Sequence, residues 1–209
     1  MLTDASRART ARLATVAAFA LAALAPGSAP AEEPDLGFAD DFVYYVQPNL
    51  LPVMKQAGAT RARINVEWAL VEGEPGIYDW SDLDPVVAGM RAVGVEPHFS
   101  VQNAPQWARS AADRTEGYTQ AAFPPEYDWA WKRFLRELAG RYRPWSVEIW
   151  NEPNLESFGG ISPSRLAMMT VEARSAIHSI TPKTRIVTGG ACPCPHDPAV
   201  WHSYMRLLV

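Results

Sequence analysis

The chain has 209 residues, of which 48% are hydrophobic and 20% charged, and 19 Lys plus Arg against 23 Asp plus Glu give a net charge of -4. This composition is typical of a folded globular protein and excludes an intrinsically disordered chain. The acidic balance argues against a nucleic-acid partner. The two cysteines, Cys192 and Cys194, exclude a multi-bridge disulfide scaffold and cannot supply the four ligands of a structural zinc site.

Residues 1–31 have the layout of a secretory signal peptide. Arginines precede an apolar stretch from Leu13 to Ala25, and Ala29 and Ala31 are the small residues that a signal peptidase reads. The apolar stretch is shorter than the roughly 20 residues that a membrane-spanning helix needs, so an uncleaved anchor is disfavoured. We expect cleavage after Ala31 and a secreted product without membrane association. A mitochondrial-type transit peptide is the alternative.

From residue 36 onward, short β-branched runs alternate with amphipathic helical stretches, which is typical of βα units on a parallel sheet. The predicted strands cover residues 36–38, 61–66, 95–101, 146–150 and 185–188. The predicted helices cover residues 50–57, 83–92, 125–143, 163–181 and 197–208. We expect Asp82 to cap the second helix, and Val53 and Ile180 to lie on the buried faces of the first and fourth helices.

Five such units fit either a doubly wound sheet or part of a barrel. The chain contains neither G-x-G-x-x-G nor G-x-x-x-x-G-K-[ST], the phosphate-binding motifs of doubly wound folds. Polar and aromatic residues instead follow successive predicted strands, at the point where the active face of a (β/α) barrel forms. We therefore predict an α/β fold, a (β/α)8 TIM barrel truncated after about five βα units.

Residues 147–154 read Val-Glu-Ile-Trp-Asn-Glu-Pro-Asn and end the fourth predicted strand in Asn-Glu-Pro. This run resembles the strand-four acid/base motif of the retaining glycoside hydrolases of clan A. Residues 62–68, 74–80 and 104–108 are similar in order and spacing to that clan, above all to its β-xylosidase and α-L-iduronidase type and to its cellulase-like families. The resemblance implies that residues 32–209 are the N-terminal part of a glycosidase catalytic barrel.

Retaining hydrolysis requires a protonated carboxylic acid beside the leaving oxygen and a second carboxylate about 5 Å away that attacks the anomeric carbon. The resemblance implies that Glu152 is the general acid/base, and its neighbour Asn151 is suited to hydrogen-bond the sugar 2-hydroxyl. In the clan the nucleophile follows strand seven, so we expect it in a C-terminal part that this chain lacks. Glu67, Glu148 and Glu156 are not assigned that role.

Four further residues are predicted to contribute to substrate binding. Arg63 matches the clan's strand-two arginine, which supports the nucleophile carboxylate, and an arginine in a structural ion pair is the alternative. Trp107 and Trp68 could stack on sugar faces, although some of the eight tryptophans belong in the core. Asn103 could reach a sugar hydroxyl. His98, in the middle of a predicted strand, is interpreted as a hydrogen-bonded core histidine.

The resulting hypothesis is an exported retaining glycoside hydrolase that cleaves O-glycosidic bonds of oligo- or polysaccharides by double displacement, with carbohydrate as its partner and no metal or organic cofactor. The cluster of Cys192, Cys194, His196 and Asp197 could be read as a metal site, but a covalent or packing role is favoured. The alternative function is a truncated, non-catalytic barrel fragment that binds carbohydrate or is inactive.

Overall fold

The computed structural model describes residues 36–39, 51–114, 121–193, 202 and 204–206. The predicted signal peptide, residues 1–31, lies outside the described residues. Most of the last predicted helix does too, although residues 202 and 204–206 are helical. No helix in the described part of the chain is long and apolar enough to cross a membrane.

Strands and helices alternate along the described ranges. The strands are β1 (Leu36–Ala39), β2 (Ala59–Glu67), β3 (Glu96–Gln102), β4 (Ser146–Ile149) and β5 (Arg185–Thr188). The helices are α1 (Leu51–Gln56), α2 (Trp68–Val71), α3 (Leu83–Ala92), α4 (Asp128–Tyr142) and α5 (Pro163–His178). Single turns of 3-10 helix cover Gln106–Ala108, Pro125–Tyr127 and Glu156–Phe158.

The five strands form one sheet in the order β1-β2-β3-β4-β5, and every neighbouring pair is parallel. A doubly wound sheet reverses its strand order at a switch point, so this sequential order excludes that architecture. The predicted α/β class with a parallel sheet is confirmed. Closure into a barrel of eight units stays a prediction.

One face of the sheet packs against the helices and forms the core. Ile64 of β2, Phe99 of β3 and Ile149 of β4 are each 0% exposed and belong to a single apolar cluster with side chains of the helices. Burying a side chain of this size stabilises the fold by about 1.5–3 kcal/mol. The sheet is therefore held to its helices by apolar packing.

The ends of two helices follow from local sequence. The hydroxyl of Ser162 accepts a hydrogen bond from the backbone N–H of Arg165 at 3.3 Å, and Pro163 occupies the first turn of α5. Arg143, with a φ of 45°, ends α4 in the left-handed conformation. Asp82 directly precedes α3, as predicted. Its side chain makes no capping hydrogen bond, so the predicted capping interaction is wrong.

Two predicted core positions are wrong. Val53 is 55% exposed, because the short helix α1 buries only Leu51 and Met54. Ile180 is 40% exposed, because α5 ends at His178 and the helical periodicity stops there. Hydrophobic spacing predicts the buried face of a helix and not the residue at which the helix ends.

Candidate functional site

The inner face of the sheet, opposite the helices, carries polar side chains in register. Successive strand residues point to opposite faces, so polar residues alternate with core residues along β2, β3 and β4. The pairing places Asn65 beside Ser100, and Ser100 beside Glu148. Nearer the amino ends of the strands, the same register aligns Arg63, His98 and Ser146.

Arg63 links three strands across this inner face. Its Nε donates to Glu148 Oε2 at 2.6 Å, and its Nη2 donates to Ser100 Oγ at 2.8 Å. Nη2 also donates to Asn151 Oδ1 at 2.9 Å, while Nη1 donates to Asn65 Oδ1 at 3.2 Å. Because the guanidinium is planar and rigid, these contacts fix the carboxyl end of β4 relative to β2. Arg63 therefore forms an ion pair with Glu148, as in the alternative interpretation, and its support of a nucleophile carboxylate stays a prediction.

Glu148 is the anionic partner of this arginine. Burial raises the pKa of the Glu148 carboxyl, but hydrogen bonds from His98 and Arg63 outweigh that effect and lower it from 4.5 to about 2. His98 Nε2 lies 3.3 Å from Glu148 Oε2, and the other ring nitrogen of His98 contacts the Ser146 hydroxyl. Glu148 is therefore ionised near neutral pH and serves as a fixed counter-charge, and His98 is hydrogen-bonded as predicted.

Glu152 follows β4 in an unusual backbone conformation. The strand ends at Ile149, one residue earlier than predicted, because Trp150 takes a φ of 73°. Glu152 has a φ of 42°. Left-handed non-glycine residues are uncommon and concentrate at functional sites. The half-buried Glu152 thus lies just beyond the carboxyl end of β4, where its N–H donates to Gly190 O at 3.1 Å.

Asn151 is oriented by Arg63. Arginine only donates hydrogen bonds, so the 2.9 Å contact assigns the amide oxygen of Asn151 to the guanidinium and leaves its NH2 group to point elsewhere. The side chain is half-buried, beside the candidate acid Glu152. An amide held in this way has a defined donor direction for a hydroxyl group.

The two predicted sugar-stacking tryptophans occupy different environments. Trp68 is 0% exposed and packs against Phe134 with ring centroids 5.5 Å apart, and its indole N–H donates to Glu72 Oε2 at 2.7 Å. Because no face of its ring reaches solvent, the prediction of Trp68 as a stacking platform is wrong. Trp107 is half-buried, and its indole N–H donates to the carbonyl of Glu72 at 3.0 Å.

Asn103 also differs from its predicted role. It is 1% exposed with a φ of 59°, and its Oδ1 accepts hydrogen bonds from Arg109 Nη2 at 3.0 Å and from the N–H of Ala121 at 3.2 Å. These contacts tie the loop after β3 to itself. The prediction that Asn103 reaches a sugar hydroxyl is therefore corrected: its oxygen is used inside the loop.

Glu72, a carboxylate that is 0% exposed, is not among the predicted site residues. Besides its bond to Trp68, Glu72 accepts the N–H of Gly76 at 2.7 Å and pairs with Arg133. A buried carboxylate needs such partners, since an unpaired one would be strongly destabilising. The available signal was its position four residues after Trp68, one helical turn away. Glu72 thereby fixes Trp68 directly and Trp107 through its carbonyl.

The described residues contain no group of three or more His, Cys, Asp or Glu side chains that could hold a metal ion. Cys192 is buried and disulfide-bonded. Cys194, His196 and Asp197, the other members of the cluster considered above, lie outside the described residues. The polar groups that the structure brings together are carboxylates, an arginine and amides, which are suited to bind hydroxyl groups and transfer protons.

Comparison with known sequences gives one weak relative. The chain is 27% identical over 90 residues to a β-xylosidase from Caldicellulosiruptor saccharolyticus, a match that covers 39% of this chain and 18% of that protein. No protein-family model matches the chain.

Solved structures match over more of the chain. A family 39 glycoside hydrolase from Bacteroides cellulosilyticus superposes with a TM-score of 0.56 and 19% identity, covering 75% of this chain and 32% of that one. An endoglucanase from the hyperthermophile Thermotoga maritima also has a TM-score of 0.56, with 20% identity, covering 78% of this chain and 48% of that one. Over the matched residues, this chain has the fold of the corresponding part of those glycoside hydrolases.

The resemblance to clan A glycoside hydrolases that the motifs indicated is confirmed at the level of fold. The match covers about a third to a half of the length of the structural neighbours and less than a fifth of the β-xylosidase. At these identities the comparison establishes the architecture and leaves the chemistry to the residues of the site.

Proposed function

We propose that this chain provides the acid/base part of a retaining glycoside hydrolase whose catalytic domain is a (β/α)8 barrel, of which residues 32–209 form about five units. Glu152 is the general acid/base. The nucleophilic carboxylate belongs to a later unit of the barrel. The single observation that carries the proposal is the position of Asn151 and Glu152 directly after β4, with Asn151 bound to an arginine–carboxylate pair on the inner face of the sheet.

The reaction follows from two carboxylates acting in sequence. The nucleophilic carboxylate attacks the anomeric carbon while Glu152 gives its proton to the departing glycosidic oxygen, so the C–O bond breaks and a glycosyl ester forms. Glu152, now ionised, takes a proton from water as the water oxygen attacks the same carbon and releases the carboxylate. The NH2 group of Asn151 donates to the sugar 2-hydroxyl, a contact that strengthens in the oxocarbenium-like transition state.

Arg63 and Glu148 position these groups. The low pKa of Glu148, about 2, keeps it ionised and paired with Arg63 at the pH at which Glu152 must be able to carry a proton. Trp107, half-buried within the loop after β3, is the aromatic surface that we assign to the substrate. The substrate class is an oligo- or polysaccharide.

The test is a leaving-group comparison in the full-length protein. Glu152→Gln should slow hydrolysis of substrates with poor leaving groups by about 100-fold or more, and substrates with activated aryl leaving groups much less, since these need little protonation. Glu156→Gln, at an exposed glutamate four residues further on, is the matched control and should leave both rates unchanged. Wild-type turnover of an unactivated glycoside by Glu152→Gln would refute the assignment.

Export is a second part of the proposal and rests on the sequence of residues 1–31. The N-terminal sequence of the secreted protein should begin at Glu32. Recovery of the protein from the cytoplasm with Met1 or residue 2 at its N-terminus would contradict this part and leave the glycosidase proposal untouched.

A further inference from the structure

The loop after β5, residues 189–192, lies against the loop that carries Glu152, residues 150–154. We call them the β5 loop and the acid/base loop. Gly189 donates its N–H to Ile149 O at 2.9 Å, and Glu152 donates its N–H to Gly190 O at 3.1 Å. The backbone N–H of Gly190 also approaches Glu148 Oε1 at 3.4 Å. The β5 loop therefore contacts both the candidate acid and the carboxylate that orients the inner face.

Glycine at position 189 is required by this close approach. A Cβ atom built on Gly189 would lie 2.5 Å from the carbonyl oxygen of Trp150 and 2.7 Å from that of Ile149. These are backbone atoms, which cannot move aside without shifting the strand end itself. The absence of a side chain thus allows the β5 loop to lie directly on the start of the acid/base loop.

Asn154 closes the contact at the far end of the acid/base loop. Its Nδ2 donates to the carbonyl of Cys192 at 2.9 Å, and its Oδ1 accepts the N–H of Cys192 at 2.8 Å. Both functional groups of the amide are thus hydrogen-bonded to the backbone of one residue, its N–H and its carbonyl, as in a pair of β-strands. Cys192 is 2% exposed, so Asn154 binds the N–H and the carbonyl of a buried residue.

We propose that Asn154 is a positioning residue that holds Glu152 in its left-handed conformation through the β5 loop. Hydrogen bonds join the acid/base loop to the β5 loop at Glu152 and just after it, at Asn154. The N–H of Glu152 donates to Gly190 O, and the Asn154 side chain binds the backbone of Cys192. A non-glycine residue adopts a φ of 42° only where its surroundings enforce it. Removing the Asn154 attachment lets Glu152 relax toward an ordinary conformation and moves its carboxyl group. This proposal rests on the proposed function for its catalytic consequence.

The first arm of the test needs no activity. In the intact chain, Asn154→Ala should raise the hydrogen-exchange rate of the Glu152 amide by about tenfold or more, because its bond to Gly190 opens more often. The Trp150 amide, which donates to Val101 O of β3 at 2.9 Å, should change less than about twofold. Ser157→Ala, an exposed position in the same segment, is the control and should change neither rate. An unchanged Glu152 amide in Asn154→Ala would overturn the proposal.

The second arm measures catalysis in the full-length protein with two aryl glycosides that differ only in the acidity of the leaving phenol. Asn154→Ala should lower kcat by about tenfold on the poor leaving group and by less than about twofold on the activated one. Asn154→Asp keeps the acceptor for Cys192 N–H but sets a carboxylate oxygen against the Cys192 carbonyl in place of the NH2 donor, so it should not restore kcat on the poor leaving group. Equal losses of kcat on both substrates would indicate general damage to the fold, and would overturn the proposal that Asn154 positions Glu152.

The two proposals fail in different ways. If the wild-type protein and Glu152→Gln show no difference in leaving-group dependence, the proposed function fails, while the hydrogen-exchange result still decides whether Asn154 holds Glu152. If Glu152→Gln shows that dependence and Asn154→Ala does not, the positioning proposal fails and the proposed function stands.

Discussion

The two faces of the five-stranded sheet are built from alternate residues of the same strands and have opposite chemistry. The helix-covered face consists of apolar side chains that are at most 2% exposed: Ala62, Ile64, Val66, Phe99, Val101, Val147 and Ile149. The inner face consists of polar side chains joined by hydrogen bonds: Arg63, Asn65, Ser100 and Glu148. Consecutive residues of a strand therefore have different roles: one packs in the apolar core, and the next forms hydrogen bonds on the inner face.

The comparison shows how stability and site geometry are separated in this fold. Apolar packing depends on volume and tolerates many residue combinations of similar size. A hydrogen-bonded ion pair depends on direction and distance, and fails when a single partner is removed. We therefore expect substitutions on the helix-covered face to act through stability alone. Substitutions on the inner face should act on stability and on the orientation of Asn151.

The largest effect on stability should come from the helix-covered side. Phe134 of α4 is 0% exposed and packs between Trp68, Trp80 and Trp131. Phe134→Ala should lower the free energy of unfolding by about 3–5 kcal/mol, because it removes a ring and leaves a cavity. Urea denaturation followed by tryptophan fluorescence measures this change. Val171→Ala, at a position of α5 that is 67% exposed, is the control and should stay within about 0.5 kcal/mol of the wild type.

A smaller effect is expected from the ion pair on the inner face. Glu148→Gln leaves Arg63 without its anionic partner, and should lower the free energy of unfolding at pH 7 by about 2–3 kcal/mol. Arg63 is about a quarter exposed, which reduces the effect below that of a fully buried pair. Glu172→Gln breaks the more exposed pair with Lys132 at 2.8 Å and should cost less than about 1 kcal/mol. Equal costs for the two variants would show that the inner pair is no stronger than a surface pair.

The same carboxylate predicts a pH dependence. The pKa of Glu148 is lowered in the folded state from 4.5 to about 2, so its contribution to stability is complete above pH 4.5 and is lost as the pH falls toward 2. The wild type and Glu148→Gln should therefore converge in stability across this window. Denaturation midpoints measured from pH 6 down to pH 2.5 test this, and a constant difference between the two proteins would contradict it.

The smallest effects come from two neighbouring positions on β3 that face opposite ways. Ser100→Ala removes the 2.8 Å hydrogen bond from Arg63 and should cost about 1 kcal/mol. Val101→Ala, one residue further on and 0% exposed, should cost about 2 kcal/mol by loss of packing. In the full-length protein Ser100→Ala should also lower activity, whereas Val101→Ala should leave kcat within about twofold. A reversal of that activity pattern would break the proposed division between the faces.

Much of the architecture was predictable, because hydrophobic periodicity within a short segment indicates whether that segment forms a strand or a helix. The strand predicted at residues 185–188 matches β5, and α4, which lies within the helix predicted over residues 125–143, buries Trp131, Phe134, Leu135 and Leu138. Predictions were wrong at Ile180, which lies beyond the end of α5, and at Val53, which lies within α1 but outside its buried face. The left-handed turn at Trp150 was also missed, since nothing in its own sequence requires it.

The candidate site was predictable as a set of positions and much less as a set of roles. Arg63, in the middle of β2, is hydrogen-bonded to Asn151 just after β4, and Glu152 is the next residue along the chain. Trp68 and Asn103 occupy the predicted ends of strands, yet both are buried inside loops and the core. An aromatic or amide residue after a strand can face the substrate or the fold, and only the packing around it decides which.

The sequence by itself determined the alternation of strands and helices, the parallel α/β class and the position of Asn-Glu-Pro after the fourth strand. These depend on periodicity and on residue types within a few positions of one another. Only the tertiary structure decided that Glu148 is the partner of Arg63, 85 residues away, and that Asn154 is bound to Cys192, 38 residues away. Such contacts depend on strand register and loop approach, which set distances between residues that no local pattern relates.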